Sequence, residues 1–277
     1  MSHFSVAVVC RPDEMINLER CLEKRLEPFW EGLEMDPYIY STKADFIKKL
    51  KEEIEEIKNL QDYKDFKTDR ELFKVTRSEN DFSYFEEFEK IENGTDEEIY
   101  QWGAKGYEPS NFDEDGNIIS TYNPNSKWDW YQIGGRFDGA LTLKDGSSVS
   151  QAQIKDISFD IDQEMYNRKK RFWELYVEGC KPLNEEEEKM LEHVFYNKQY
   201  YLDRYMDVER FAVEGAKNST TYAVLTIDNK WIEPGPMGWF GSSGATFHEE
   251  REFHDHFEKF FDDVDGDNYI IIVDCHI

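Results

Sequence analysis

The chain has 277 residues and carries 60 Asp and Glu against 33 Lys and Arg, a formal net charge of -27. Charge of that sign repels nucleic-acid backbones and anionic membranes, so direct nucleic-acid binding and membrane attachment are not expected. Apolar residues make up only 39%, but 20 Phe, 16 Tyr and 7 Trp offer enough ring surface for a folded, aromatic-cored protein rather than a disordered one.

Residues 3–10 read as a strand, bounded by Arg11-Pro12-Asp13. Asp13 is placed to cap a helix through about residue 24, with Ile16, Leu18, Cys21 and Leu22 as its buried side. This opening segment has no basic leader, and the chain has no apolar run of about 18 residues, so neither a signal peptide nor a membrane span is expected. Ile47, Leu50, Ile54 and Ile57 recur at spacings of three and four and predict an amphipathic helix over 43–60. Residues 61–100 read as helix in pieces, with Phe82, Phe85 and Phe88 as a core stripe.

From about residue 102 the chain turns rich in Gly, Asn, Pro, Ser and Trp. Residues 137–143 then read as a strand closed by the Asp145-Gly146 turn. Two helices are expected over 160–178 and 185–214, the second capped by Asn184. Residues 222–227 and 230–233 form a hairpin about Asp228-Asn229, and a Gly/Pro loop covers 234–244. Residues 247–262 are helical, with Phe253, Phe257 and Phe260 on one face, and residues 269–277 form the last strand. The order suggests one α+β domain over 1–277. Its expected core is an antiparallel, ferredoxin-like βαββαβ sheet that pairs both termini, with acidic helical insertions at about 43–100 and 160–215.

Three features carry chemistry. The densest is the block from Tyr122 to Arg136, which holds Asn123, Asn125, Lys127, Trp128, Asp129 and Tyr131 ahead of Gly134-Gly135-Arg136. Lys127 and Arg136 suit an anionic group, the rings suit stacking, and the glycines allow close backbone approach. The alternative is that the tryptophans are core and Asp129 pairs internally with Arg136 or Lys127. A second segment, 233–244, sets Trp239 among glycines without matching a nucleotide-binding fingerprint. The third is the pair of chain ends. If the terminal strands pair, His3, Asp274 and His276 converge as an acid–base pair or as ligands of a divalent metal, the cofactor this set admits.

Two weaker patterns are discounted. His248, His254 and His256 do not share a helix face, and 111–122 lacks the closing Glu of a calcium loop, so it reads as a turn entering a strand at Ile118-Ile119. The scattered cysteines Cys10, Cys21, Cys180 and Cys275 form no CxxC pair and read as small buried side chains.

The opening Met1-Ser2-His3-Phe4-Ser5-Val6, the block 122–136, Met237-Gly238-Trp239 and the closing Val273-Asp274-Cys275-His276-Ile277 resemble a family of uncharacterised proteins from bacteriophages and phage-bearing bacteria. The resemblance covers both ends and the middle, not the acidic helices. It brings no established activity; it implies a cytoplasmic role in a bacterial host, in counter-defence or host takeover. Three functions are compatible with the residues. Placed first is a non-enzymatic binding protein for a small anionic, nucleotide-like ligand held by the 122–136 block and Trp239. The next is a metal-assisted hydrolase using His3, Asp274 and His276 with Asp129. The third is an acidic inhibitor that docks on a basic host protein.

Overall fold

The terminal strands, β1 (His3–Cys10) and β10 (Tyr269–His276), are buried along seven of their eight residues in the computed structural model, which describes residues 2–192, 194–238 and 242–277. Between them lie the short strands β2 (Tyr38–Ser41), β3 (Ile118–Ser120), β4 (Trp130–Ile133), β5 (Leu141–Thr142), β6 (Ser148–Val149), β7 (Gln151–Gln153), β8 (Ala223–Leu225) and β9 (Trp231–Ile232). The helices are α1 (Leu18–Leu26), α2 (Lys43–Asn59), α3 (Gln61–Thr68), α4 (Arg70–Thr76), α5 (Glu79–Ile91), α6 (Asp96–Ala104), α7 (Gln163–Tyr176), α8 (Glu185–Met190), α9 (Lys198–Tyr205), α10 (Val208–Ala216) and α11 (Phe247–His256). The protein is therefore mixed α+β, and antiparallel pairs dominate its sheets.

The chain forms two units. One comprises Met1–Leu33 with Asn123–Ile277, the other Glu34–Tyr122. The first is built on a sheet ordered β4-β10-β1-β8-β9, with β7 also pairing β10. β1 runs antiparallel to β10, with His3 opposite His276, and parallel to β8, with Val6 opposite Ala223. That parallel neighbour departs from the expected βαββαβ arrangement, in which the first strand has antiparallel strands on both sides. The reason lies in the middle strands: β5 closes on β6 as a separate hairpin, and the hairpin β8–β9 enters the sheet from a long crossover instead.

Both sheet faces are covered, which explains why β1 and β10 are apolar almost throughout. On one face Phe4, Val6, Val8, Cys10, Ile271, Val273 and Cys275 pack with Leu22 and Leu26 of α1 and with Trp128. On the other, Ala7, Val9, Ile270 and Ile272 pack with Phe253, Phe257 and Phe261.

Several helix boundaries differ from expectation because capping decided them. Asp13 makes no side-chain cap; Asn17 caps α1 by accepting from Arg20 N–H, and Ile16 ends up exposed. The stretch 185–214 breaks into α8, α9 and α10, with Met206 at φ +68° and Asp207 capping α10. Residues 135–137 form a 3-10 turn, leaving only Leu141 and Thr142 as strand.

The second unit is a helical cluster with the two-stranded sheet β2–β3. Thr42, Asp69, Ser78 and Thr95 each cap a helix through their side chains. Its core is aromatic: Phe46, Tyr63, Phe66, Phe73, Phe85 and Phe88 join Leu50, Ile54, Ile99 and Ile118. Among the described residues no helix is long and apolar enough to cross a membrane.

Candidate active site on the central sheet

Strand alternation places His3 and Ser5 on the same sheet face as Ala7 and Val9. Opposite them on β10 stand His276 and Asp274, and beyond those on β4 stand Trp130 and Gln132. One face of the sheet therefore changes from an apolar core to a polar cluster within a single strand length. Asp274 and His276 are 1% and 4% exposed, burial that costs free energy unless each is partnered.

Both are. His3 Nδ1 lies 2.8 Å from Asp274 Oδ1, and His276 Nδ1 lies 2.7 Å from Asp129 Oδ1. A carboxylate only accepts, so each Nδ1 carries the proton and donates, which directs the lone pair of the neutral ring to Nε2. The two imidazoles meet edge to face with centroids 5.0 Å apart. Trp130 stacks on His276 at 5.1 Å and meets His3 edge-on at 5.3 Å, fixing both rings. Two neighbouring histidines, each held at Nδ1 by its own carboxylate, can take a proton at one ring and return one at the other.

The second oxygen of Asp274 accepts from Arg136 N–H at 2.9 Å. Gly134 and Gly135 have φ of +69° and +54°, and a Cβ on Gly135 would sit 2.5 Å from the Cβ of Asp274. The close backbone approach these glycines permit is thus made to Asp274. It leaves the exposed Arg136 side chain beginning one hydrogen bond from the His3–Asp274 pair.

The remaining residues of the 122–136 block divide between the faces. Trp128 is buried against Leu22 and Leu26, donates Nε1–H to Leu26 O, and meets Tyr131 edge to face at 5.1 Å. Burial pushes the Tyr131 phenol up. Both rings therefore belong to the core on the opposite face from Asp129, and do not line an open pocket with Arg136. Asn123 is buried and holds the Pro28 and Trp30 carbonyls, while its Oδ1 accepts from the N–H of exposed Asn125. Lys127 Nζ pairs with Glu233 Oε1 at 2.6 Å, which spends its charge inside the protein. Asp129 takes neither Lys127 nor Arg136 as its partner but His276. Trp239 lies outside the described residues. Trp130 is the ring of this block that does reach the site: strand alternation sets it beside His276 and sends its neighbour Tyr131 to the opposite core.

As a metal set, His3, Asp274 and His276 would need rearrangement, because Asp274 already holds His3 and Arg136 N–H. Among the described residues, the group whose ligand atoms all lie within 4.8 Å of one another is Cys10, Glu14 and Cys21. There Glu14 also meets the buried Arg25 guanidinium at 3.4 Å, a cation at the position a metal would want. Burial pushes both Cys10 and Cys275 well up, so neither thiol is a ready nucleophile.

Comparison with protein-family models, with curated proteins and with solved structures finds no match to this chain. The functional reading rests on the geometry.

Proposed function

We infer that the protein is an acid–base enzyme acting on a small anionic, nucleotide-like substrate. His3 and His276 serve as its base and acid, and Arg136 holds the phosphate. The carrying observation is the pair of His–Asp couples, 2.8 and 2.7 Å long, with rings 5.0 Å apart. In-line displacement at phosphorus needs a proton taken from the attacking hydroxyl or water and another given to the leaving oxygen, and two imidazoles in opposite protonation states do both. Asp274 and Asp129 hold the tautomers, as the carboxylate does in a catalytic triad. In the phage setting that the sequence motifs resemble, such a reaction would consume a nucleotide signal of host defence.

The test is turnover of cyclic nucleotides and dinucleotides by the purified protein across pH 4–9, followed by chromatography of the products. We expect a bell-shaped rate profile, and a loss of roughly 10²–10⁴-fold in kcat for each of His3→Ala and His276→Ala. No turnover of any phosphodiester, or turnover by both variants equal to the parent's, sinks the reading.

A second reading keeps the same residues. A histidine whose Nδ1–H is held by a carboxylate is also the usual form of a metal-ligating histidine, with Nε2 toward the ion. Loss of activity on chelation and its return with one divalent metal would favour it.

A further inference from the structure

A cleft of about 530 Å³ opens among α7, α9 and α10, within the unit that carries the central sheet. Its described lining consists of three cations, six aromatic rings and two methionines, with no carboxylate. In a chain with 60 acidic and 33 basic residues, that reverses the sign of the surface at large. Arg168 and Lys169 belong to Arg168-Lys169-Lys170-Arg171, a run of four cations on α7.

The cations divide by partner. Arg204 is compensated, with Nε 3.2 Å from Glu250 Oε2 and Nη1 donating to Tyr200 Oη at 2.7 Å. Arg168 and Lys169 have no ion pair or hydrogen bond among the described residues. The Lys169 stem lies against Gly215, where a Cβ would come within 2.9 Å of Lys169 Cε. That packing holds the ammonium half-buried, 5.7 Å from the Phe211 ring centroid. Burial, and then the Arg168 charge, push the Lys169 pKa down, and a bound anion would oppose both. The rings beside it are packed and ordered: Tyr201 meets Phe172 at 5.7 Å and Phe211 edge-on at 5.7 Å.

We propose that this cleft is a second binding site, for a small aromatic phosphate of the nucleoside monophosphate type. The phosphate would sit between Arg168 and Lys169, with its ring against Tyr200 and Tyr201. The size suits such a ligand, since small-molecule pockets run roughly 300–1,000 Å³. Arg supplies a planar fork for phosphate oxygens and Lys a point charge. Tyrosine faces accept a stacked base without selecting it strongly.

The site is tested by calorimetric titration of AMP into the full chain carrying His3→Gln and His276→Gln, which separates it from the sheet site. Adenosine and inorganic phosphate serve as the two half-ligands. We expect AMP to bind with a Kd below about 1 mM, each half-ligand to bind at least about tenfold more weakly, and Lys169→Met and Arg168→Gln each to weaken AMP about fivefold or more. Arg168 is exposed, so its variant tests the charge where a packing change at Lys169 would not. Failure of AMP to bind, or binding that both variants leave unchanged, overturns the proposal.

Discussion

Gly135 and Asp274 are packed so closely that a side chain at 135 has no room: its Cβ would fall 2.5 Å from the Asp274 Cβ, at a φ of +54°. Gly135→Ala therefore pushes the turn off the carboxylate and breaks the Arg136 N–H bond to Asp274. We expect a stability loss of about 1–3 kcal/mol from backbone strain, measured by urea denaturation, together with loss of turnover. An Ala variant as stable and active as the parent would show that the turn does not position this site.

Asp274 and Asp129 do the same thing to two rings from different depths. Asp274 is 1% exposed and accepts two hydrogen bonds, whereas Asp129 is exposed at the sheet edge. Asp274→Asn should cost about 1–3 kcal/mol of stability as well as activity. Asp129→Asn should lower kcat by more than about tenfold while staying within about 1 kcal/mol of the parent. Paired denaturation and kinetic measurements separate the two; an Asp129→Asn enzyme with full kcat would remove that residue from the mechanism.

His254 supplies a pH dependence away from the site. Burial, with Arg204, Lys217 and Arg210 nearby and only Asp255 opposing, lowers it to about 4. The unfolded imidazole takes up its proton near 6.5. The stabilisation from keeping this ring neutral is thus complete above about pH 6.5 and is lost as pH falls toward 4, with a slope of up to ~1.4 kcal/mol per pH unit. His254→Gln should flatten the stability curve over that window. Coincident wild-type and variant curves between pH 4 and 6.5 would contradict this.

In the helical unit, Phe88 is fully buried and meets Tyr63 edge to face at 4.8 Å. Phe88→Ala should cost about 3–5 kcal/mol, read by chemical denaturation. A cost under about 1 kcal/mol would mean that the surrounding rings collapse into the space.

The cysteines give a simpler check. Cys180 is exposed, whereas Cys10 and Cys275 are buried with their thiols pushed up. Alkylation of the native protein, read by mass spectrometry, should label Cys180 first and reach Cys10 and Cys275 only on unfolding.

Local elements were legible where one physical signal dominates. The apolar run of β10, the period of α2, and the Asp228-Asn229 turn all act through near neighbours in the chain. Ile16 misled because the α-helical period starts only at Leu18, and the tighter 3-10 turn before it leaves Ile16 in solvent. The helix expected over 185–214 broke twice, after Met190 and again at Met206, where the backbone turns to positive φ, and no Gly or Pro marks either break. The sheet order was illegible because the parallel pairing of β1 with β8 joins segments more than 200 residues apart, and no local preference encodes that choice.

The same division holds for the candidate site. Sequence alone determined the chemistry on offer: histidines and carboxylates at the chain ends, Asp129 among rings, and two glycines before Arg136. Tertiary structure decided which carboxylate serves which ring. Register sets His3 across from His276 and Trp130 beside it, and the Gly135 turn lands on Asp274 rather than on a ligand. The reason is the two-residue period of the strand. Shifting any of these pairings by one residue would turn Asp274 or His276 into the opposite core, and that register is fixed by packing on both faces of the sheet, beyond the reach of any local stretch of chain.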